Sequence, residues 1–338
     1  MLANLRQSIL QAAFSGRLTA DWRAKNPDVE PADQLLARIR TERRQRWETD
    51  QLANFEAKGK KPPKNWKDKY KEPEPVDDSE LPELPEGWCW LTIGDLPKDE
   101  AYSFSIGPFG SNLKVDDYRE KGVPLVFVRE IRAQSFGDEN TKYIEPEKAL
   151  DLASHQVSPG DLLITKMGDP PGDTAIYPDG SPIAIITADC IKIASERELS
   201  SSRFLMHWLR AEPMLERILA ETKGVAQRKL SLKRFRTIIT PMPPKLEQEE
   251  IIQRLQSALE PCSRIDGLLP VLDSTMSKLD QSILSKAFKG ELVPQDPNDE
   301  PASELLARIH ATREKEAAGK KATRKKKSKK KAARKRKS

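Results

Sequence analysis

The chain carries one short sequence pattern twice, once near each end, and this repeat constrains the fold more than any other feature. Residues 5–18 and 279–292 are identical at nine of fourteen positions, and residues 30–39 and 300–309 at eight of ten. The two blocks lie four residues closer together in the second copy. Because the copies bracket the middle of the chain and do not follow each other in tandem, we expect two similar helical pieces that frame one different domain.

Each copy has the pattern of two helices joined by a loop. Apolar residues recur at intervals of three and four, which places them on one face of an amphipathic helix. Gly16 and Gly290 follow the last apolar turn, where a left-handed helix cap is favoured. Glu-Pro-Ala then begins a second helix, with proline in its first turn. Any two hairpins packed on a core would explain the hydrophobicity, but the repeated loop sequence favours two copies of one docking surface.

The segments beside the two copies predict a linker and a spacer. Residues 1–42 contain the first copy, and residues 43–80 are charged and proline-containing, which predicts an extended linker; a basic nucleic-acid-binding arm is the alternative. Residues 241–312 begin as a long helix with an apolar stripe and end in the second copy. We expect Pro261 and Pro270 to kink or break this helix. Its stripe requires a partner helix.

The middle of the chain, residues 81–240, has the pattern of a β-rich domain. Short β-branched and aromatic runs lie between glycine- and proline-containing turns, which predicts strands. The predicted strands lie within residues 88–93, 123–128, 157–166, 183–186 and 190–193, and a helix is predicted over 204–219. This combination indicates an α+β domain with a β-rich core. The whole chain is therefore assigned to the α+β class, with long helical spacer or coiled-coil arms.

Charge is distributed unevenly along the 338 residues. Residues 313–338 contain fifteen Lys or Arg and two Glu, a net charge of +13; the overall charge is +6, so the other 312 residues carry −7. We expect this tail to be disordered and to bind nucleic acid without sequence preference. The three cysteines are far apart, which fits a reducing cytoplasm and indicates neither a disulfide framework nor a zinc site. The sequence contains no long apolar run of the kind that forms a membrane-spanning helix.

One stretch of the middle domain concentrates positive charge. Residues 222–240 hold six Lys or Arg and no Asp or Glu. Such cations can neutralise phosphates while short polar side chains reach base edges; a solvated helix face is the alternative. We predict DNA-binding residues here and in three further segments of the domain. The candidates are Gln227, Arg228, Lys229, Lys233 and Arg234, followed by Ser111, Asn112, Lys114, Arg129, Arg132 and Lys166.

Five short motifs form an ordered set along the chain. They are LPEGW at 84–88, GPFGSNLK at 107–114, GDLL at 160–163, QRKL at 227–230 and PMPPKLEQEEII at 241–252. With the shared ending of the two repeat helices, their order and spacing resemble the DNA-specificity subunits of Type I restriction-modification systems. The resemblance implies a half-length form with one target recognition domain, residues 81–240, and one spacer helix, where the usual chain of the family has two of each.

The resemblance also implies partners. Two such chains, antiparallel through their spacers, would read a bipartite palindrome in double-stranded DNA, or this chain would pair with a different specificity chain. The helices would dock methyltransferase subunits and, through them, a restriction or translocase subunit. The chain itself would be non-catalytic and cytoplasmic, with no membrane partner. S-adenosylmethionine, ATP and magnesium would be bound by the partner subunits, and no cofactor by this chain.

No catalytic set or metal site is evident in the sequence. Residues 169–172 read Asp-Pro-Pro-Gly, similar to the Asp-Pro-Pro-aromatic motif of amino-methyltransferases, but Gly172 replaces the aromatic residue that would stack on a flipped base. Asp161 and Lys166 lack the paired Asp/Glu-x-Lys element of a nuclease metal site. No nucleophile, base and orienting group occur together. The remaining alternatives are a DNA methyltransferase or nuclease and a stand-alone DNA-binding adaptor.

Overall fold

The computed structural model describes residues 2–223, 228–294 and 298–335, the side chains of residues 3, 223 and 319–335 excepted. The chain divides into two compact units, Met1–Ile265 and Asp266–Ser338. The helices are α1 (Leu2–Phe14), α2 (Ala20–Lys25), α3 (Ala32–Ala57), α4 (Val128–Ala133), α5 (Pro146–Asp151), α6 (Ser202–Leu209), α7 (Glu212–Ala220), α8 (Leu232–Arg236), α9 (Lys245–Phe288) and α10 (Ala302–Lys335).

The strands are short, and all of them belong to the first unit. They are β1 (Cys89–Thr92), β2 (Phe104–Ile106), β3 (Val123–Val126), β4 (Tyr143–Ile144), β5 (Gln156–Val157), β6 (Leu162–Thr165), β7 (Met167–Gly168), β8 (Thr174–Ile176), β9 (Ala184–Ile186), β10 (Cys190–Ile193), β11 (Thr222–Lys223), β12 (Arg228–Leu230) and β13 (Ile239–Met242). Each of the five predicted strand segments contains at least one of these strands, and the α+β class is confirmed.

Several small sheets take the place of one large sheet. Among the described residues, two sheets have four strands, in the orders β2–β10–β6–β8 and β4–β3–β9–β5. A third sheet has three strands, in the order β11–β12–β7, and β1 pairs with β13 in a two-stranded ribbon. β3 and β9 pair in parallel, and the other pairs are antiparallel. In the ribbon Cys89 lies opposite Met242, so the two ends of the predicted middle domain lie side by side.

The main core of the first unit joins the first repeat copy to the β-rich part. Phe14 of α1 packs against Phe204 and Trp208 of α6, with ring centroids 5.6 and 4.6 Å apart. Leu35, Leu36 and Ile39 of α3, Leu91 and Ile93 from the β1 region, and Ile251 and Leu255 of α9 belong to the same buried cluster. The first copy therefore forms part of the domain core, although the sequence predicted residues 1–42 as a separate piece.

Two fully buried polar residues, Glu247 and Gln248, fix the start of α9. The carboxylate of Glu247 accepts hydrogen bonds from Thr19 Oγ1 at 2.7 Å and from Arg23, whose guanidinium also forms an ion pair with it. The side-chain amide of Gln248 donates to the carbonyls of Leu199 and Pro243 at 2.8 and 3.1 Å. Buried polar groups are stable only when paired in this way, so α9 begins at one defined position.

The linker expected over residues 43–80 differs from what is observed. Its first part is helical, because α3 continues to Ala57 and ends just before Gly59. No proline or glycine interrupts residues 32–57, and Trp47 stacks on Trp66 with ring centroids 5.8 Å apart. That contact folds the following segment back against α3, an interaction between distant residues that composition does not reveal.

Two further predictions were wrong: the spacer helix is not broken at its prolines, and the tail is helical over most of its length. Helix α9 runs through Pro261 and Pro270 without interruption. Proline has a fixed backbone angle close to the helical value, and each one removes a single hydrogen bond from a 44-residue helix. Helix α10 continues to Lys335, through most of residues 313–338. Ala, Lys, Arg and Glu have high helix propensities, which the prediction from net charge neglected.

The second unit contains the end of α9, a turn at Gly290 and helix α10. Fourteen large apolar side chains in the described part of residues 268–309 are 39–89% exposed. The members are Leu268, Leu269, Val271, Leu272, Met276, Leu279, Ile283, Leu284, Phe288, Leu292, Val293, Leu305, Leu306 and Ile309. Such a surface exceeds what an isolated helix normally leaves in water.

Candidate nucleic-acid interface

The pairing of β7 with β12 brings two distant basic segments together. Arg228 lies opposite Gly168 and Lys229 opposite Met167 in this antiparallel pair. The amide of Leu230 donates to the carbonyl of Lys166 at 2.9 Å, which continues the ladder by one residue. Lys166 is therefore brought to the same small sheet as Arg228 and Lys229, which lie more than sixty positions later in the sequence.

The turn at residues 107–114 is held against the same region. A Cβ atom on Gly107 would lie 2.1 Å from the carbonyl group of Thr187, so only glycine permits this close backbone approach. Lys166 Nζ donates to the carbonyl of Ala188 at 3.1 Å and lies 5.6 Å from the ring centroid of Phe109. The exposed turn residues Ser111, Asn112 and Lys114 follow Phe109 directly. Their turn thus adjoins the β7–β12 pair.

The two arginines of α4 have different surroundings. Arg132 extends across Gly168, where its guanidinium occupies the space that a Cβ would need, and its Nε donates to Asp173 at 2.7 Å. Arg129 instead donates to the buried carboxylate of Glu130 and to the carbonyl of Asn140, both at 2.8 Å. Arg132 therefore belongs to the basic surface around β7. Arg129 is held by these two local contacts, and its role in DNA binding stays a prediction.

Helix α8 presents the remaining candidates. Ser231 caps it by accepting a hydrogen bond from the amide of Arg234 at 3.2 Å, and Phe235 anchors it in the core against Phe104. Lys233 is exposed, whereas Arg234 is half-buried with its guanidinium 3.4 Å from the carbonyl of Glu221. This short helix therefore holds Lys233 at the surface next to β12.

Arg228, Lys229 and Lys233 form a set of free cations. All three are exposed, and no carboxylate in the described part of the chain forms an ion pair with them. Arg132, by contrast, is paired with Asp173, and Asp169 is exposed at the end of β7, so the surroundings of the set are not uniformly basic. Exposed cations without an ion-pair partner are suited to phosphate oxygens, which supply the missing anions.

The sequence analysis did not identify Phe109 as a candidate, and one of its candidates, Gln227, lies outside the described residues. Phe109 is 67% exposed beside Lys166, and an exposed ring in a glycine-flanked turn can stack on a base or a ribose. The Gly-Pro-Phe-Gly sequence at residues 107–110 is the signal that indicates an exposed aromatic residue in a turn.

The two motifs considered for catalysis have structural surroundings. Residues 169–172 connect β7 to β8, and Thr165 Oγ1 accepts hydrogen bonds from the amides of Gly172 and Asp173 at 3.0 and 2.9 Å. Asp161 accepts from the amide of Ser158 at 2.9 Å, and burial raises its carboxyl pKa. Within the described ranges, no cluster of three His, Cys, Asp or Glu residues could hold a metal ion.

Two further buried groups have shifted acidities for the same reason. Burial lowers the pKa of the Lys192 amine, whose Nζ donates to the carbonyl of Gln156 at 2.6 Å. Burial, with nearby Arg210 as a second cause, lowers the pKa of His207 to about 4. Neither group adjoins the free cations in sequence or pairing. None of the described helices is long and apolar enough to span a bilayer.

The fold and this surface define an α+β domain that presents exposed cations and an aromatic ring, and comparisons with known proteins give it a family. The family model described as "Type I restriction modification DNA specificity domain" matches residues 131–266. The EcoBI specificity subunit of Escherichia coli is 30% identical over 250 residues, covering 71% of this chain and 51% of that protein. The EcoAI specificity subunit of Escherichia coli is 25% identical over 355 residues, covering 91% and 55%.

A solved structure is also similar. The HsdS subunit from Thermoanaerobacter tengcongensis has 20% sequence identity and a TM-score of 0.42, covering 77% of this chain and 57% of that one. The chain spans about half the length of the curated relatives it matches. Residues 131–266 match the DNA specificity domain of Type I restriction-modification systems, and the chain is similar over much of its length to specificity subunits of those systems.

Proposed function

We propose that this chain reads one half of a bipartite DNA site for a Type I restriction-modification complex. The reading module is the target recognition domain, residues 81–240, with the first repeat copy packed into its core. The observation that carries the proposal is the β7–β12 pairing, which aligns Arg228 and Lys229 with Lys166 beside the exposed ring of Phe109. Exposed cations without an ion-pair partner among the described residues, such as Arg228 and Lys229, and an aromatic ring suit a phosphate backbone with exposed bases.

The remaining candidates take different roles in this proposal. Lys233 at the surface of α8 and Arg132 across Gly168 would contact phosphates at the two sides of the sheet, and the turn residues Ser111, Asn112 and Lys114 would reach base edges or phosphates. Arg234, half-buried, would hold the end of α7 through the carbonyl of Glu221. Gln227 keeps its predicted role as a base-reading residue, since an amide can contact adenine bidentately.

The proposed complex includes subunits that perform the chemistry. The chain would be non-catalytic and cytoplasmic, and its helices would dock methyltransferase subunits and, through them, a restriction or translocase subunit. S-adenosylmethionine, ATP and magnesium would be bound by those subunits. Pairing with a second specificity chain, identical or different, would complete the bipartite site, because a two-fold assembly reads two half-sites. The names of the relatives, all specificity subunits of Type I enzymes, support this assignment.

The test maps methylated adenines in a host genome with and without this gene. A motif that appears only with the gene supports the proposal, and an unchanged methylation pattern in the presence of the cognate modification subunit contradicts it. Arg228→Ala should weaken binding to that motif by about 1–3 kcal/mol if the guanidinium contacts a base bidentately. Arg228→Lys keeps the charge but loses the two-pronged geometry, so it should also relax the motif.

A matched control separates base reading from general electrostatics. Arg119 is an exposed cation of the same domain that is paired with Glu145 at 2.8 Å. Arg119→Ala removes the same charge as Arg228→Ala and should leave the recognised motif unchanged. If both variants weakened all DNA sequences equally, Arg228 would contact only the phosphate backbone.

A further inference from the structure

The two repeat copies share most residues of their two blocks and have opposite exposure. Leu10 and Phe14 of the first copy are 6% and 7% exposed, whereas their counterparts Leu284 and Phe288 are 57% and 89% exposed. The second helix of each copy shows the same contrast. Leu35, Leu36 and Ile39 are buried, whereas Leu305, Leu306 and Ile309 are exposed.

The second copy nevertheless has the local geometry of the first. Gly16 and Gly290 end their helices with backbone φ angles of 72° and 74°, and each donates its amide to the carbonyl three residues earlier at 3.1 Å. The ion pair between Arg38 and Glu30 has its counterpart between Arg308 and Glu300. The second copy therefore repeats the glycine helix end and the ion pair of the first, and its apolar side chains are exposed.

The first copy shows what kind of surface covers this element. Its socket consists of the rings of Phe204 and Trp208 on α6 and the first turn of α7 at Glu212. Phe14 packs on both rings, and Gln7 Oε1 accepts a hydrogen bond from the amide of Glu212 at 3.1 Å. The second copy keeps these contacting side chains as Gln281, Leu284 and Phe288.

We propose that the second copy docks into the equivalent socket of another target recognition domain, carried by a separate polypeptide whose socket is not filled by an arm of its own. This deepens the proposed function, on which it rests, by assigning the helical repeat the role of joining two recognition domains. The sequence identity at the contacting positions carries the argument, because a side chain set that fills one socket fits a second of the same form.

A copy of this chain with its own arm in place is a poor acceptor. The first copy has extra contacts between its two repeated blocks, where Thr19 and Arg23 bind the buried carboxylate of Glu247 and Asp21 binds Arg254. The second copy has four fewer residues in that stretch and lacks counterparts to these contacts. It would not displace an intact first copy, so the partner must offer an open socket.

Cross-linking of full-length chains tests the proposal. The donor carries Gln281→Cys. The acceptor carries Glu212→Cys as its reactive position. Leu10→Ala and Phe14→Ala open its socket, and Phe288→Asp prevents its own second copy from docking. A short bismaleimide should join the donor to the acceptor with at least tenfold higher yield than it joins a control donor to the same acceptor. The control donor carries Phe288→Asp in addition to Gln281→Cys. A chain with Gln7→Cys and Glu212→Cys, which should link internally, calibrates the reaction, and the wild-type chain gives the background from native cysteines.

Two results would overturn the proposal. One is a donor-to-acceptor yield that Phe288→Asp leaves unchanged. The other is efficient linking of donors to each other through position 281, which would mean that second copies pair together as a coiled coil. If circular dichroism shows that the acceptor does not fold, an acceptor carrying Phe14→Ala alone takes its place. The assay contains no DNA and no modification subunit, so its failure is distinct from failure to find a methylation motif.

Discussion

The indole Nε1 of Trp88 donates a hydrogen bond to the buried carboxylate of Glu247 at 3.0 Å. Trp88 lies in the LPEGW motif at the start of the recognition domain, and Glu247 lies in the first turn of the spacer helix. The same carboxylate binds Thr19 and Arg23 of the first repeat copy. One side chain therefore connects the repeat, the domain entrance and the spacer.

Glu247→Ala should reduce the free energy of unfolding by about 3–5 kcal/mol, because it leaves the Arg23 cation and the Trp88 indole without their buried acceptor. Urea denaturation followed by tryptophan fluorescence measures the change. Glu249→Ala is the matched control, since Glu249 is exposed two residues later, and its effect should stay within about 0.5 kcal/mol. Equal effects of the two substitutions would contradict the anchoring role.

Phe14→Ala and Phe288→Ala form a pair of equivalent substitutions in the two repeat copies. Phe14→Ala should destabilise the isolated chain by about 3–5 kcal/mol, because it removes a buried ring from the contact with Trp208. Phe288→Ala should change its stability by less than about 0.5 kcal/mol, because that ring is exposed. Thermal and urea unfolding of the two purified variants decide this, and a large loss for Phe288→Ala would show that the second copy is covered within one chain.

Gly107→Ala should destabilise the recognition domain by about 1–3 kcal/mol or more, because the new methyl group would collide with the Thr187 carbonyl group and displace the turn at residues 107–114. Gly110→Ala, in the same turn, meets no atom within 4 Å and should be nearly neutral. Urea unfolding compares the two variants. A neutral Gly107→Ala would mean that the turn is not held against this backbone.

Stability should fall as the pH decreases from about 6.5 towards 4, in part because of His207. Its folded-state pKa is lowered to about 4, so between these values the unfolded chain binds a proton that the folded chain does not. The contribution is about 1–3 kcal/mol, reduced from the full value because the ring is only partly buried. Urea unfolding at pH 7 and pH 4.5 should show a smaller pH difference for His207→Gln, whereas His310→Gln, at an exposed position, should behave as the wild type.

Deletion of residues 313–338 should weaken binding to random DNA and flatten its dependence on salt, because fifteen Lys and Arg residues are removed with two Glu. Fluorescence anisotropy over a series of salt concentrations measures both. Preference for the methylated motif should persist in the truncated chain. Loss of that preference would place the reading surface in the tail instead of in the recognition domain.

Local patterns in the sequence determined the repeat copies, the glycine helix ends, the short strands and the concentration of cations over residues 222–240, because each depends on neighbouring residues. Only the tertiary structure decided that β7 pairs with β12, that Glu247 joins three segments, and that α3 extends into the predicted linker. It also decided that one repeat copy is buried while the other is exposed. Burial depends on whether a complementary surface lies within reach, and two copies that share their apolar positions cannot carry that information themselves.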